Sequence, residues 1–76
     1  MNGCQIRAAR ALLNWSQQDL ADKAALDRSV IKLAEKEVGR SQKASLFAIE
    51  RVFEAQGVSF TASERVVGVT IDRDRL

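Results

Sequence analysis

The stretch SQQDLADKAALDRSVIKLAEK, Ser16 to Lys36, decides the fold. It opens on Ser16, a good N-cap, with Asp19 three residues on in a capping-box arrangement that also places negative charge at a helix start. Trp15, just before the cap, can staple onto Leu20. The spacing predicts a helix over Gln17 to Ala24, with Leu20, Ala21 and Ala24 inward. A turn follows at Ala25 and Leu26. Asp27 is the next N-cap, and Leu26 can staple onto Ile31. Two caps eleven residues apart leave room for two helical turns and a tight corner. A second helix is predicted over Arg28 to Glu37, ending near Gly39. Arg28, Lys32, Lys36 and Arg40 recur every four residues, which sets the first three on one side of that helix. Leu26, Ile31, Ala34 and Val38 fit the opposite, core-facing side.

Working outward, Ile6, Ala9, Leu12 and Leu13 recur at helical spacing and predict a first helix over Gly3 to Leu13. Asn14 can take the left-handed conformation that ends it. Ser41 opens a fourth helix through Gln56 with Leu46, Ile49, Val52 and Phe53 as its apolar face, and Gly57 stops it. The rest is rich in β-branched residues. Two short strands are predicted, Val58–Thr61 and Val66–Ile71, around a turn near residues 62–65, with a frayed charged end from Asp72 to Leu76. The expected fold is mainly α: four helices with a central helix-turn-helix in residues 1–57, and a short β-hairpin tail in 58–76.

Composition narrows the function. The 76 residues make one small domain with a net charge of only +2. Between Arg28 and Lys43 stand five basic residues and two acidic ones, a net of +3, so the remaining chain sums to −1. Such local positive charge fits the footprint of a polyanion partner; a plain solvated helix face is the alternative. With one cysteine, Cys4, and no histidine, no disulfide can form within the chain, and a Cys/His zinc site lacks ligands. Cys4 is expected to be semi-buried. There is no nucleophile–base pairing, glycine-rich phosphate loop or metal-ligand spacing, so no enzyme, cofactor or metal is predicted. No apolar run reaches membrane-span length and no signal peptide is visible, which predicts an intracellular, cytoplasmic protein without membrane contact.

The residues Gln17-Gln18-Asp19-Leu20-Ala21, Ala25-Leu26, Arg28-Ser29-Val30-Ile31 and Glu35 resemble the helix-turn-helix of the phage-repressor-like Cro/C1 (XRE) transcriptional regulators. Ile6-Arg7-Ala8-Ala9-Arg10 and Leu12-Leu13-Asn14-Trp15-Ser16-Gln17 resemble their first helix. The resemblance spans about Gln5 to Gly57 and leaves out the tail. It implies a bacterial or phage-derived, nucleoid-associated regulator that binds double-stranded DNA as a homodimer. It also implies a buried ion pair between Arg10 and Glu35, with two exposed charges as the alternative. Ala25 stands where the family usually has glycine, so the corner needs strain or a shifted turn. Glu37, where the family commonly has glycine, implies a longer helix ending at Gly39, and Ser41 stands near a common proline.

On that geometry Arg28, Ser29, Lys32 and Leu33 are assigned to base edges. Arg28 suits a bidentate contact to guanine and Leu33 a thymine methyl; Leu33 packing on protein is the alternative. Gln17, Gln18, Lys36, Arg40, Ser41, Gln42 and Lys43 are assigned to phosphates, with a solvated loop as the alternative for residues 40–43. Val58, Phe60, Val66, Val67, Val69 and Ile71 are too apolar for an idle tail. They predict dimerisation by edge-to-edge pairing or a swap, against a hairpin that caps its own core. A different function class remains open: an antitoxin-like or accessory protein-interaction module with secondary DNA binding. Structured RNA is disfavoured, because its A-form major groove is too narrow for a helix.

Overall fold

The computed structural model describes residues 1–36, 43–63 and 65–75. Within them four helices precede a hairpin: α1 (Gly3–Leu13), α2 (Gln17–Ala24), α3 (Arg28–Lys36), α4 (Lys43–Ala55), β1 (Val58–Ala62) and β2 (Val67–Ile71). The expected bounds of α1 and α2 are met. Helix α4 stops one residue short of Gln56, and the strands are Val58–Ala62 and Val67–Ile71 rather than Val58–Thr61 and Val66–Ile71. The expected helix end at Glu37 to Gly39 and the Ser41 cap lie outside the described residues.

Local chemistry sets the helix ends. Asn2 caps α1 by accepting from the Gln5 amide, while Gln5 Oε1 accepts from the Asn2 amide. Ser16 and Asp19 make the same reciprocal box at α2. Asn14 closes α1 at φ 57°, in the left-handed region. Ala25 closes α2 at φ 56°, ψ 43°, so the corner is built with an alanine in a conformation that disfavours a Cβ.

The core is one cluster: Ile6, Ala9, Leu20, Ala21, Ile31, Ala34, Ile49, Phe53 and Val58. Trp15 stacks on Phe53 at 5.8 Å, and Phe60 meets Phe53 edge-on, also at 5.8 Å. Leu12 turns out 39% exposed and does not join the inward face of α1; it sits two residues ahead of the left-handed Asn14 that ends the helix. Cys4 is exposed, not semi-buried.

The tail belongs to this core and is not a separate unit. Strands β1 and β2 pair antiparallel with Phe60 opposite Val69. Val58 is 1% exposed, and Phe60, Val69 and Ile71 pack against the core. Gln5, itself buried, locks the hairpin down: its Nε2 donates to the carbonyls of Thr61 and Gly68. Its two amide hydrogens and its oxygen are all used, which removes the cost of burying the group. The charged end is ordered into a 3-10 turn at Arg73–Arg75, started by Asp72 accepting from the Asp74 amide.

One glycine marks a close approach. A Cβ on Gly3 would stand 2.2 Å from the Glu35 carbonyl oxygen, a backbone atom that cannot swing aside. Two substitutions should therefore move stability in opposite directions in urea titrations. Gly3→Ala forces α1 off α3 and should cost about 2 kcal/mol or more. Ala25→Gly relieves the left-handed alanine and should gain about 0.5–1 kcal/mol after glycine's extra unfolded-state entropy. A chain ending at Gly57 loses Val58 and the cover over Phe53, and should show no cooperative unfolding transition by circular dichroism.

Candidate nucleic-acid interface

Helices α2 and α3 meet at the corner made by Ala25, where the Leu26 amide donates to the Ala21 carbonyl at 2.9 Å. Helix α3 then starts on Asp27, whose carboxylate accepts from the Ser29 amide at 3.0 Å and from the Ser29 hydroxyl. Ile31, Ala34 and Glu35 point inward and are buried. Ser29, Lys32, Leu33 and Lys36 are exposed on the other side, and Arg28, seven residues before Glu35 on the same stripe, is exposed at the first turn of the helix. Three of the four residues assigned to base edges, Ser29, Lys32 and Leu33, thus share the outward face, with Arg28 at its leading edge and Lys36 a turn beyond.

Glu35 fixes the inner side. Arg10 holds its carboxylate with two bonds, Nε to Oε2 at 2.6 Å and Nη2 to Oε1 at 3.0 Å. The two side chains are 18% and 4% exposed. Arg10 Nη1 also donates to the Trp15 carbonyl, tying the pair to the start of α2. The Glu35 carbonyl accepts from Arg7 Nη1 at 2.7 Å. Gly3, Arg7 and Arg10 follow the i, i+4, i+7 spacing of one helix face, and all three meet the same residue.

The assigned phosphate contacts separate into groups. Gln17, half-buried, donates to Glu35 Oε1 at 3.2 Å, so its amide is partly committed inside the protein, though one hydrogen and the oxygen remain. Gln18 is exposed and donates to Asp22. Lys36 and Lys43 are exposed, with Lys43 the first residue of α4. Arg40, Ser41 and Gln42 lie outside the described residues. Ser29 changes character: its hydroxyl proton goes to Asp27, which leaves it an acceptor toward a base edge.

Of the residues assigned to dimerisation, Val58 is interior and cannot line an interface. Phe60, Val69 and Ile71 are largely spent on the chain's own core, while Val67 is 51% exposed. Val58, Phe60, Val69 and Ile71 share by the pleat the sheet face that packs on α1 and α4, and Val67, on the same face at the turn end of β2, stays half exposed. Sequence reading missed Gly3, Gln5 and Arg7. Gly3 and Arg7 share the face of Arg10, a signal present in the spacing; nothing in the sequence marks Gln5 as the tether of the hairpin.

Two carboxylates have shifted acidities. Asp19 is held below 3.8 by the Ser16 amide first and the Ser16 hydroxyl second. Asp27 is held below 3.8 by the Ser29 hydroxyl and then the Ser29 amide. Among the described residues no group of three or more His, Cys, Asp or Glu is placed to hold a metal ion. No described helix is long and apolar enough to cross a membrane. No protein-family model matches the chain, and no curated protein matches it.

Both carboxylates contribute stability that is present above pH 3.8 and lost as pH falls through their lower folded values. Asp19→Asn should flatten that limb of an acid denaturation curve and leave its neutral plateau parallel to wild type. For the ion pair, Glu35→Ala strands a mostly buried guanidinium and should cost about 3–5 kcal/mol. Pairing it with Arg10→Met should recover part of that loss, so the double variant is more stable than the sum of the singles; strict additivity in chemical denaturation would contradict the pairing.

Proposed function

We propose that the chain is a sequence-specific double-stranded-DNA-binding transcriptional regulator, acting as a repressor that occupies operator DNA as a homodimer. One observation carries the reading: α3 exposes Lys32, Leu33 and Lys36 on one face, with Arg28 exposed at its first turn, while the helix is locked to α1 and α2 through Glu35. A rigidly seated, basic, exposed helix at the second position of a helix-turn-helix fits the major groove. The resemblance to Cro/C1-type regulators points the same way.

In this reading Arg28 and Lys32 read base edges, and Leu33, 47% exposed, meets a thymine methyl. Ser29 accepts from an exocyclic amine. Lys36, Lys43, Gln17 and Gln18 take phosphates, as do Arg40, Ser41 and Gln42. Two copies reading half-sites about 34 Å apart multiply a modest single-helix affinity. The second copy pairs along the outer edge of β2. Among the described residues no strand covers that edge, and Val66 and Val67 beside it are 64% and 51% exposed. The other reading, a protein-interaction module, draws on Phe47, 62% exposed on α4 away from the core.

Selection of duplexes from a random pool, followed by fluorescence anisotropy over a salt series, separates the two. The regulator reading predicts about a thousandfold preference or more for the selected duplex, and affinity that falls steeply with salt. Arg28→Ala should cost about 1–3 kcal/mol and relax one base position, whereas Lys36→Ala should weaken selected and random duplexes alike. Val67→Lys should leave the fold intact and raise the dimer dissociation constant in sedimentation. Weak, equal binding to every duplex would overturn the regulator reading in favour of the interaction module.

A further inference from the structure

We propose that Arg7 is a positioning residue that sets the angle of α3 for DNA, an inference that rests on the DNA-binding reading. The backbone carbonyl of Glu35 on α3 accepts from a charged donor on another helix, Arg7 Nη1 at 2.7 Å. The same guanidinium donates through Nη2 to Cys4 Sγ at 3.1 Å, which fixes its plane along α1. Arg7 is exposed and no part of the core. Its guanidinium is committed to the carbonyl and not to a buried carboxylate, so removing it leaves no cavity and no stranded charge.

The geometry gives this bond leverage. Without Arg7, α3 is held to α1 at Glu35 by the Gly3 contact and the Arg10 pair. Arg28 lies seven residues before Glu35, about 10 Å along the axis. A pivot of about 6° at Glu35 moves that end about 1 Å, enough to spoil a bidentate base contact, which tolerates roughly 0.5 Å. The Arg7 bond holds Glu35 by its backbone, whereas the Arg10 pair holds only its side chain, and so it resists the pivot. Its effect therefore falls on base reading and leaves the fold and non-specific attraction nearly untouched.

The test compares wild type with Arg7→Ala, Arg7→Met and Arg7→Lys, well below their melting temperatures. Affinity for the selected duplex should fall about tenfold for Arg7→Ala and Arg7→Met, with affinity for random duplex changed less than about twofold and the salt slope kept. Arg7→Lys, which still offers a charged donor, should recover part of the loss. Wild-type affinity in Arg7→Ala would overturn the proposal. So would an equal loss on both duplexes with the slope reduced by about one, because that marks a direct phosphate contact. If wild type selects no duplex, the DNA reading fails on its own. Amide exchange of the free protein still tests the clamp: faster exchange over Leu33 to Lys36 in Arg7→Ala, with α2 unchanged, supports it, and unchanged exchange overturns it.

Discussion

A single glutamate organises this protein. Glu35 is 6% exposed overall, and its carboxylate would be costly there without Arg10 and Gln17 to satisfy it. Its backbone is as constrained as its side chain: Gly3 lies against it and Arg7 caps its carbonyl. Buried ion pairs add little net stability compared with well-packed apolar replacements. What this one supplies is geometry. Arg10 spans α1, the start of α2 through the Trp15 carbonyl, and α3 through Glu35, so three helices share one reference point.

That arrangement explains how a chain of 76 residues with a net charge of +2 can present a defined basic face. The inner half of α3 is occupied by Ile31, Ala34 and Glu35, which leaves its cations no place but outward. The aromatic stack of Trp15, Phe53 and Phe60 does a parallel task below, joining the α2 start to α4 and the hairpin. Lys23 sits 5.0 Å over the Trp15 ring and closes the stack toward solvent. With so small a core, the hairpin is needed to cover Phe53, which is why its apolar face is turned to its own helices.

Much of this was legible beforehand, for local reasons. The Ser16 and Asp27 caps, Asn14 and the apolar spacing fix α1, α2 and the start of α3, because these signals act within four residues along the chain. The outward set Lys32, Leu33 and Lys36 follows from helical periodicity alone, while Arg28 is exposed at the first turn of α3. The tail was harder. Alternation in Val67, Val69 and Ile71 marks a strand with one apolar face, but it is silent on whether that face meets its own chain or another. Long-range choices decided it: Gln5 reaches residues 61 and 68, and Gly3 admits the Glu35 backbone. Ser29 was half legible, since its position on α3 was plain while its hydroxyl bond to Asp27 depends on the cap's rotamer.

The most direct measurement is chemical-shift mapping of the isotope-labelled protein against a selected duplex, with a scrambled duplex as control. The account predicts specific shifts concentrated on Arg28 to Leu33 and on Gln17 at the start of α2, with β1 and the C-terminal half of α4 nearly silent. Shifts centred on Phe47 and the hairpin, with α3 unmoved, would contradict it.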